Sequence, residues 1–143
     1  MLITLLIDAR EERDVATADV VGAYLNAYME DFVVVKLVGD EVDIISNLNS
    51  VYKEYITVKN GKKVLYLQLV KALYGCIKSA LLWYECFTKC LFDMGFTLNN
   101  HDQCVANKTI EGSQCTIVWY VDDNKISHAS SKVVDDIIKK LEE

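Results

Sequence analysis

Apolar residues along the chain recur with two different spacings, and each predicts its own kind of element. From Lys78 to Met94 the large side chains Trp83, Phe87, Cys90, Leu91 and Met94 fall at helical intervals, and Gly95 follows as a C′ residue. This predicts an amphipathic helix. Near the C-terminus, Val133, Val134, Ile137, Ile138 and Leu141 share one helical face behind Ser130 or Ser131 as N-cap. Residues 1 to 13 predict a short helix, and "GAYLNAYMED" a helical turn. Strands are predicted for "DVATADVV", ending near Asp19, and for the β-branched run "DFVVVKLV". "VKNGKKVLYLQL" sets Asn60-Gly61 between β-prone flanks, the strongest short-range signal of a hairpin. After the long helix come three more strands: one around Cys104 to Lys108, a turn at Glu111-Gly112-Ser113, then strands on either side of Asp122-Asp123. Residues 40 to 60 mix strand-like "VDII" with polar "SNLNS" and predict no particular element.

The chain has no proline, and no repeat or linker interrupts it, so residues 1–143 are expected to form one domain. With 52% hydrophobic and 25% charged residues it has the composition of a folded protein, and no apolar run approaches the ~20 residues of a membrane span. The opening "MLITLLIDAREERD" places no basic residue before its apolar run, which argues against a secretory or mitochondrial signal. The five cysteines are odd in number and lack CxxC spacing, so reduced thiols are expected rather than a disulfide framework or a structural zinc site. A net charge of −6 is the wrong sign for holding nucleic acid by bulk electrostatics.

The tripeptide Val-Asp-Asp occurs twice, in different settings. In "KVVDDIIKK", Asp135 and Asp136 stand four residues before Lys139 and Lys140, the favourable ion-pair order on an exposed helix face. In "TIVWYVDDNKISH", Asp122 and Asp123 sit at a strand turn, where adjacent carboxylates repel and a tight hairpin prefers Asn-Gly or Asp-Gly. A divalent cation would offset that cost, since Mg²⁺ takes one or two carboxylates together with substrate phosphates. Elsewhere, "ATADVVGAYLNA" ends a strand at Asp19, continues through the small residues Gly22 and Ala23, and places a ring at Tyr24. A strand-end carboxylate, accessible amides and a flat ring suit a metal-bound triphosphate with a sugar beside it. Trp119 and Tyr120 point to alternate faces, so one should pack in the core. His101 and His128 have no partner at metal-ligand spacing and read as ordinary surface or loop histidines. The cluster "KNGKK" reads as a solvated hairpin tip.

"DVVGAYLNAYMED", "KALYGCIKSALLWYECF" with "MGF" after it, and "YVDD" occur in an order and spacing that resembles the reverse transcriptase of Ty/copia-type retrotransposons, from about Ile7 onward. The resemblance implies an α+β fold, a polymerase palm with part of the fingers, in which an antiparallel sheet is backed by helices. It implies RNA-directed DNA polymerase activity, with Asp19, Asp122 and Asp123 as catalytic residues and ligands of two Mg²⁺ ions, or Mn²⁺ in their place. Gly22 and Ala23 would offer amides to the triphosphate, Tyr24 would exclude a ribose 2′-hydroxyl, and Tyr74 and Gly75 would line the nucleotide pocket. The implied partners are a primer on an RNA or DNA template, deoxynucleoside triphosphates, and the remaining polyprotein parts: fingers, thumb, RNase H and integrase. The implied location is the cytoplasm, in virus-like particles, or the nucleus, with no membrane.

This chain departs from the pattern common in that family. Where "LYGLKQSPRAWY" is usual it reads "LYGCIKSALLWY", with Lys78, Ala80 and Leu81 at the Gln, Pro and Arg positions, while Ser79, Trp83 and Tyr84 match. The missing proline predicts a more continuous helix, and Leu81 removes a guanidinium from the nucleic-acid side. The chain also lacks the basic fingers strands, thumb and RNase H region, so it reads as a fragment of an element polyprotein. The alternative is a catalytically silent remnant that binds divalent ions or other chains at most. A palm-like sheet serving another nucleotidyl chemistry is a third reading.

Overall fold

The strand-forming segments pair into two antiparallel sheets in the computed structural model, which describes residues 2–142. The larger sheet has five strands in the order β1-β8-β7-β6-β5: β1 is Asp14–Asp19, β5 Thr97–Leu98, β6 Val105–Ile110, β7 Ser113–Tyr120 and β8 Asp123–His128. The smaller has three strands in the order β2-β4-β3, from Val34–Val38 (β2), Thr57–Lys59 (β3) and Lys62–Gln68 (β4). The helices are α1 (Leu2–Arg10), α2 (Ala23–Asn26), α3 (Asp40–Leu48), α4 (Ser79–Asp93) and α5 (Ser131–Leu141). The architecture is α+β, antiparallel sheets packed with helices, as the resemblance implies. No helix among the described residues is long and apolar enough to cross a membrane.

Side-chain alternation gives the larger sheet two different faces. Cys115, Ile117 and Trp119 of β7, with Ile126 of β8 and Ala106 of β6, face Trp83, Phe87 and Leu91 of α4 and Val133, Val134 and Ile137 of α5. This is the main core, so Trp83, Phe87 and Trp119 are packing residues, and Tyr120 on the opposite face is 74% exposed. That second face carries Thr17 and Asp19 of β1, Asp123 and Lys125 of β8, and Val118 and Tyr120 of β7. Helix α4 ends where Gly95 enters the left-handed region (φ 82°), with Gly95 N–H donating to Phe92 O at 2.8 Å and Phe96 N–H to Leu91 O at 2.9 Å. This pair of bonds is a Schellman motif, and it stops the helix where the sequence placed its C′ glycine.

The Asn60-Gly61 hairpin forms as expected, with both residues at positive φ (51° and 74°) and Lys59 opposite Lys62. A Cβ added at Gly61 would meet nothing within 4 Å, so its cost is purely conformational. Gly61→Ala is therefore expected to destabilise the hairpin by about 1–2 kcal/mol. Hydrogen exchange of the Val64 and Leu65 amides should then accelerate by about fivefold or more if the hairpin opens as a unit.

Several elements differ from the sequence expectation. Residues 40–60 hold α3 and a 3-10 helix, Ser50–Tyr55, so "VDII" is helical rather than strand-like. Asp40, Glu41 and Asp43 in the first turn of α3 suit its positive end, and Val42 and Ser46, one turn apart, are buried together. The 3-10 helix is capped by Asn49, whose side chain accepts from Val51 N–H at 3.1 Å. Strand β5 was too short to announce itself by alternation. His128 is buried on β8 rather than on the surface, its ring bonding to Ile110 O (3.1 Å) and accepting from Ser130 N–H (3.0 Å). All five cysteines are free.

Helix α1 packs in an unexpected sense. Its buried residue is Asp8, while Leu2, Ile3 and Leu6 are exposed. Asp8 is held by an ion pair with buried Lys125 of β8 and by Arg13, whose guanidinium is 3.9 Å from the other carboxylate oxygen. Arg13 also donates to Thr116 Oγ1 at 3.1 Å. These charges seat α1 on the open face of the larger sheet, beside β8.

Candidate active site

The acidic residues meet at one end of the β1–β8 pair. Asp19, the last residue of β1, lies directly opposite Asp123, the first of β8. Directly opposed residues of an antiparallel pair have Cβ atoms about 4.5–5.5 Å apart, and like charges there destabilise the pairing. Asp122 precedes them in the tight turn Val121-Asp122 between Tyr120 and Asp123. Its carbonyl accepts from Val20 N–H at 3.0 Å, which ties the turn to the chain leaving β1. Val121 has φ 57°, a left-handed conformation that a β-branched residue rarely adopts and that costs about 1–3 kcal/mol.

Two rings stand beside the carboxylates. Tyr24, on α2, packs against Tyr74 with centroids 4.3 Å apart and planes inclined by 33°. The Tyr74 hydroxyl is held above the ordinary tyrosine range, first by desolvation and then by the charges of Asp122, Tyr24 and Asp19. The Val20 N–H to Asp122 O bond joins "ADVVGAY" to "VDD", and the Tyr24–Tyr74 ring contact joins it to "ALYG". Tyr74 owes its position to Ser79, whose buried hydroxyl accepts from Leu73 N–H (3.1 Å) and donates to Leu73 O (2.6 Å). Ala72 N–H donates to Ala27 O at 2.9 Å, fastening the same segment to the end of α2.

Of the residues expected to meet the triphosphate, Ala23 is fully buried and its N–H donates to Val20 O at 3.1 Å, so that amide serves the turn. Gly22 takes φ 63° at the start of α2, and Gly75 takes φ 95° on the exposed loop after Tyr74. Among the described residues, no three His, Cys, Asp or Glu side chains form a group that could hold a metal ion. The sequence reading missed the contributions of Ser79, Asp8 and Lys125. A lone acid in the apolar run "LITLLIDAR" and a lysine in the otherwise buried strand after Asp123 were the available signals.

Residues 1–143 match a family described as Reverse transcriptase (RNA-dependent DNA polymerase). The chain belongs to the reverse transcriptase family. No curated protein and no solved structure gives a match. In this reverse transcriptase domain three of the departures from the "LYGLKQSPRAWY" pattern, Lys78, Ala80 and Leu81, lie at or near the start of α4. Lys78 forms an ion pair with Asp31 at 2.6 Å, and that hydrogen bond raises its pKa. Leu81 is 53% exposed, and α4 runs from Ser79 to Asp93 with Ala80 in its first turn, where a proline would also be tolerated.

Proposed function

We propose that the chain is the palm, with part of the fingers, of a Ty/copia-type RNA-directed DNA polymerase, which adds deoxynucleotides to a primer 3′-hydroxyl. The observation that carries this reading is the facing pair Asp19 and Asp123, with Asp122 in the adjoining turn and the Tyr24–Tyr74 rings beside them. Opposed carboxylates are a local cost that a cation would offset. The donor set fits Mg²⁺, a hard cation that usually takes only one or two carboxylates from protein and completes its shell with water and substrate phosphates. Of Asp19, Asp122 and Asp123, one or two carboxylates at a time would hold it, since no three acidic side chains converge among the described residues. When bound, such ions stabilise the attacking and leaving oxygens of an in-line displacement.

The chain's own residues supply position. The Val20 N–H to Asp122 O bond holds the two carboxylate motifs together, and Tyr24, braced by Tyr74, would stand against the sugar. A contact from the Ala23 amide to a phosphate requires exchanging its bond to Val20 O. The partners this reading calls for are a primer on its template, deoxynucleoside triphosphates and the other parts of the polyprotein.

The test is template-directed incorporation with Mg²⁺ on a primed RNA. Incorporation that follows the template supports the reading. Mg²⁺-dependent thermal stabilisation without incorporation would favour a silent remnant, and incorporation indifferent to template would favour another nucleotidyl chemistry. Tyr24→Ala is expected to relax discrimination against ribonucleotides by about 10–100-fold, measured as the ratio of kcat/KM for dNTP and rNTP. An unchanged ratio in an active enzyme would remove Tyr24 from the site.

A further inference from the structure

Both carbonyls of the acidic turn are taken by side chains. Trp83, on α4 and 38 residues away in sequence, donates its indole N–H to Val121 O at 2.6 Å. Asn124 donates Nδ2–H to Asp122 O at 3.0 Å. Neither side chain is free to move. Trp83 is buried and stacked on Phe87 with centroids 5.3 Å apart, and Phe87 meets Trp119 edge-on. Asn124 is only 2% exposed and faces the helix layer, and its Oδ1 has no hydrogen-bond partner among the described residues.

An amide with an orphaned oxygen is a poor choice for a buried strand position if packing is all it does. Its one bond goes to the turn, and so does the only polar atom of the Trp83 side chain. Strained backbone persists where its surroundings over-determine it. Here the strained residue is Val121, and the surroundings are these two donors together with Val20 N–H.

We propose that Trp83 and Asn124 are positioning residues that hold the Val121-Asp122 turn in its left-handed form and thereby aim the Asp122 carboxylate at the Asp19 and Asp123 pair. Their effect on catalysis rests on the polymerase reading, whereas their effect on the turn does not. Without them only the two-residue length of the turn between the paired Tyr120 and Asp123 asks for positive φ, against the preference of a β-branched residue, and Val121 returns to an ordinary negative φ with the Asp122 side chain swinging with it. Glycine adopts positive φ without cost, so Val121→Gly should make the turn independent of the Trp83 bond.

The experiment pairs NMR with kinetics on Trp83→Phe, which keeps a core ring but loses the N–H, and on Asn124→Leu, which keeps the volume. Couplings across the Val121 φ bond should report a change of sign of φ in Trp83→Phe. In that variant kcat should fall by about 10–100-fold with the dNTP KM within about twofold, as expected for a small misplacement of a reacting group. The double variant Trp83→Phe/Val121→Gly should recover most of the kcat. Should Trp83→Phe fail to fold, Asn124→Leu gives the same readouts. Unchanged φ at Val121 in a folded variant of either residue would overturn the assignment of that residue, and failure of the glycine rescue would overturn the strain argument. If the wild type incorporates no nucleotide while φ at Val121 still changes, the polymerase reading fails and the positioning role stands.

Discussion

Asp122→Asn is expected to lower template-directed incorporation by about a thousandfold while leaving stability unchanged or slightly raised. The two effects have opposite causes. Asparagine keeps the shape of the side chain but removes the charge that a hard cation requires. The loss of several kcal/mol of transition-state stabilisation corresponds to about three powers of ten in rate. In the folded chain alone, Asp122 lies next to the opposed carboxylates Asp19 and Asp123, so neutralising it relieves repulsion. Asp135→Asn is the control. Asp135 belongs to the second Val-Asp-Asp copy, on the exposed face of α5, and its loss should change neither rate nor stability measurably. Single-turnover rates at saturating Mg²⁺ and urea unfolding of both variants check this. Retention of activity within tenfold in Asp122→Asn would remove Asp122 from the chemistry.

Lys125→Met is expected to cost about 3–5 kcal/mol of stability, because it leaves the Asp8 carboxylate buried without its principal partner. Arg13 remains 3.9 Å from the other oxygen, which puts the effect toward the lower end of that range. The double variant Asp8→Leu/Lys125→Met should recover most of the loss, since replacing both members of a buried ion pair by apolar groups is often neutral. Urea unfolding at constant m-value measures all three species. A loss below about 1 kcal/mol in the single variant would mean that α1 lifts from the sheet and lets water reach Asp8. Faster exchange of the α1 amides would identify that state.

Much of the fold was legible because its signals are local. The Asn60-Gly61 turn, the Gly95 stop of α4, the apolar face of α5 and the alternation that buries Trp119 and exposes Tyr120 each depend on residues a few positions apart. Residues 40–60 were not legible, because "VDII" suits a strand by composition and becomes helical through the acidic first turn of α3 and the joint burial of Val42 and Ser46. For His128 the alternation along β8 was readable, but whether that face was covered depended on distant elements. Of the candidate site, the three aspartates, Tyr24 and Tyr74 were nameable from ordered motifs, and the structure sets Asp19 opposite Asp123 and Tyr24 against Tyr74.

By itself the sequence determined the main elements and the place of the acidic turn, which rest on residue type and spacing, and the family, which rests on its likeness to a known family. Only the tertiary structure decided that Asp19 faces Asp123, that Trp83 reaches Val121 O, and that Asp8 is buried against Lys125, 117 residues away. Strand register and buried pairing come from the summed packing of distant segments, in which a one-residue slip would turn every side chain to the other face. No local spacing carries that information.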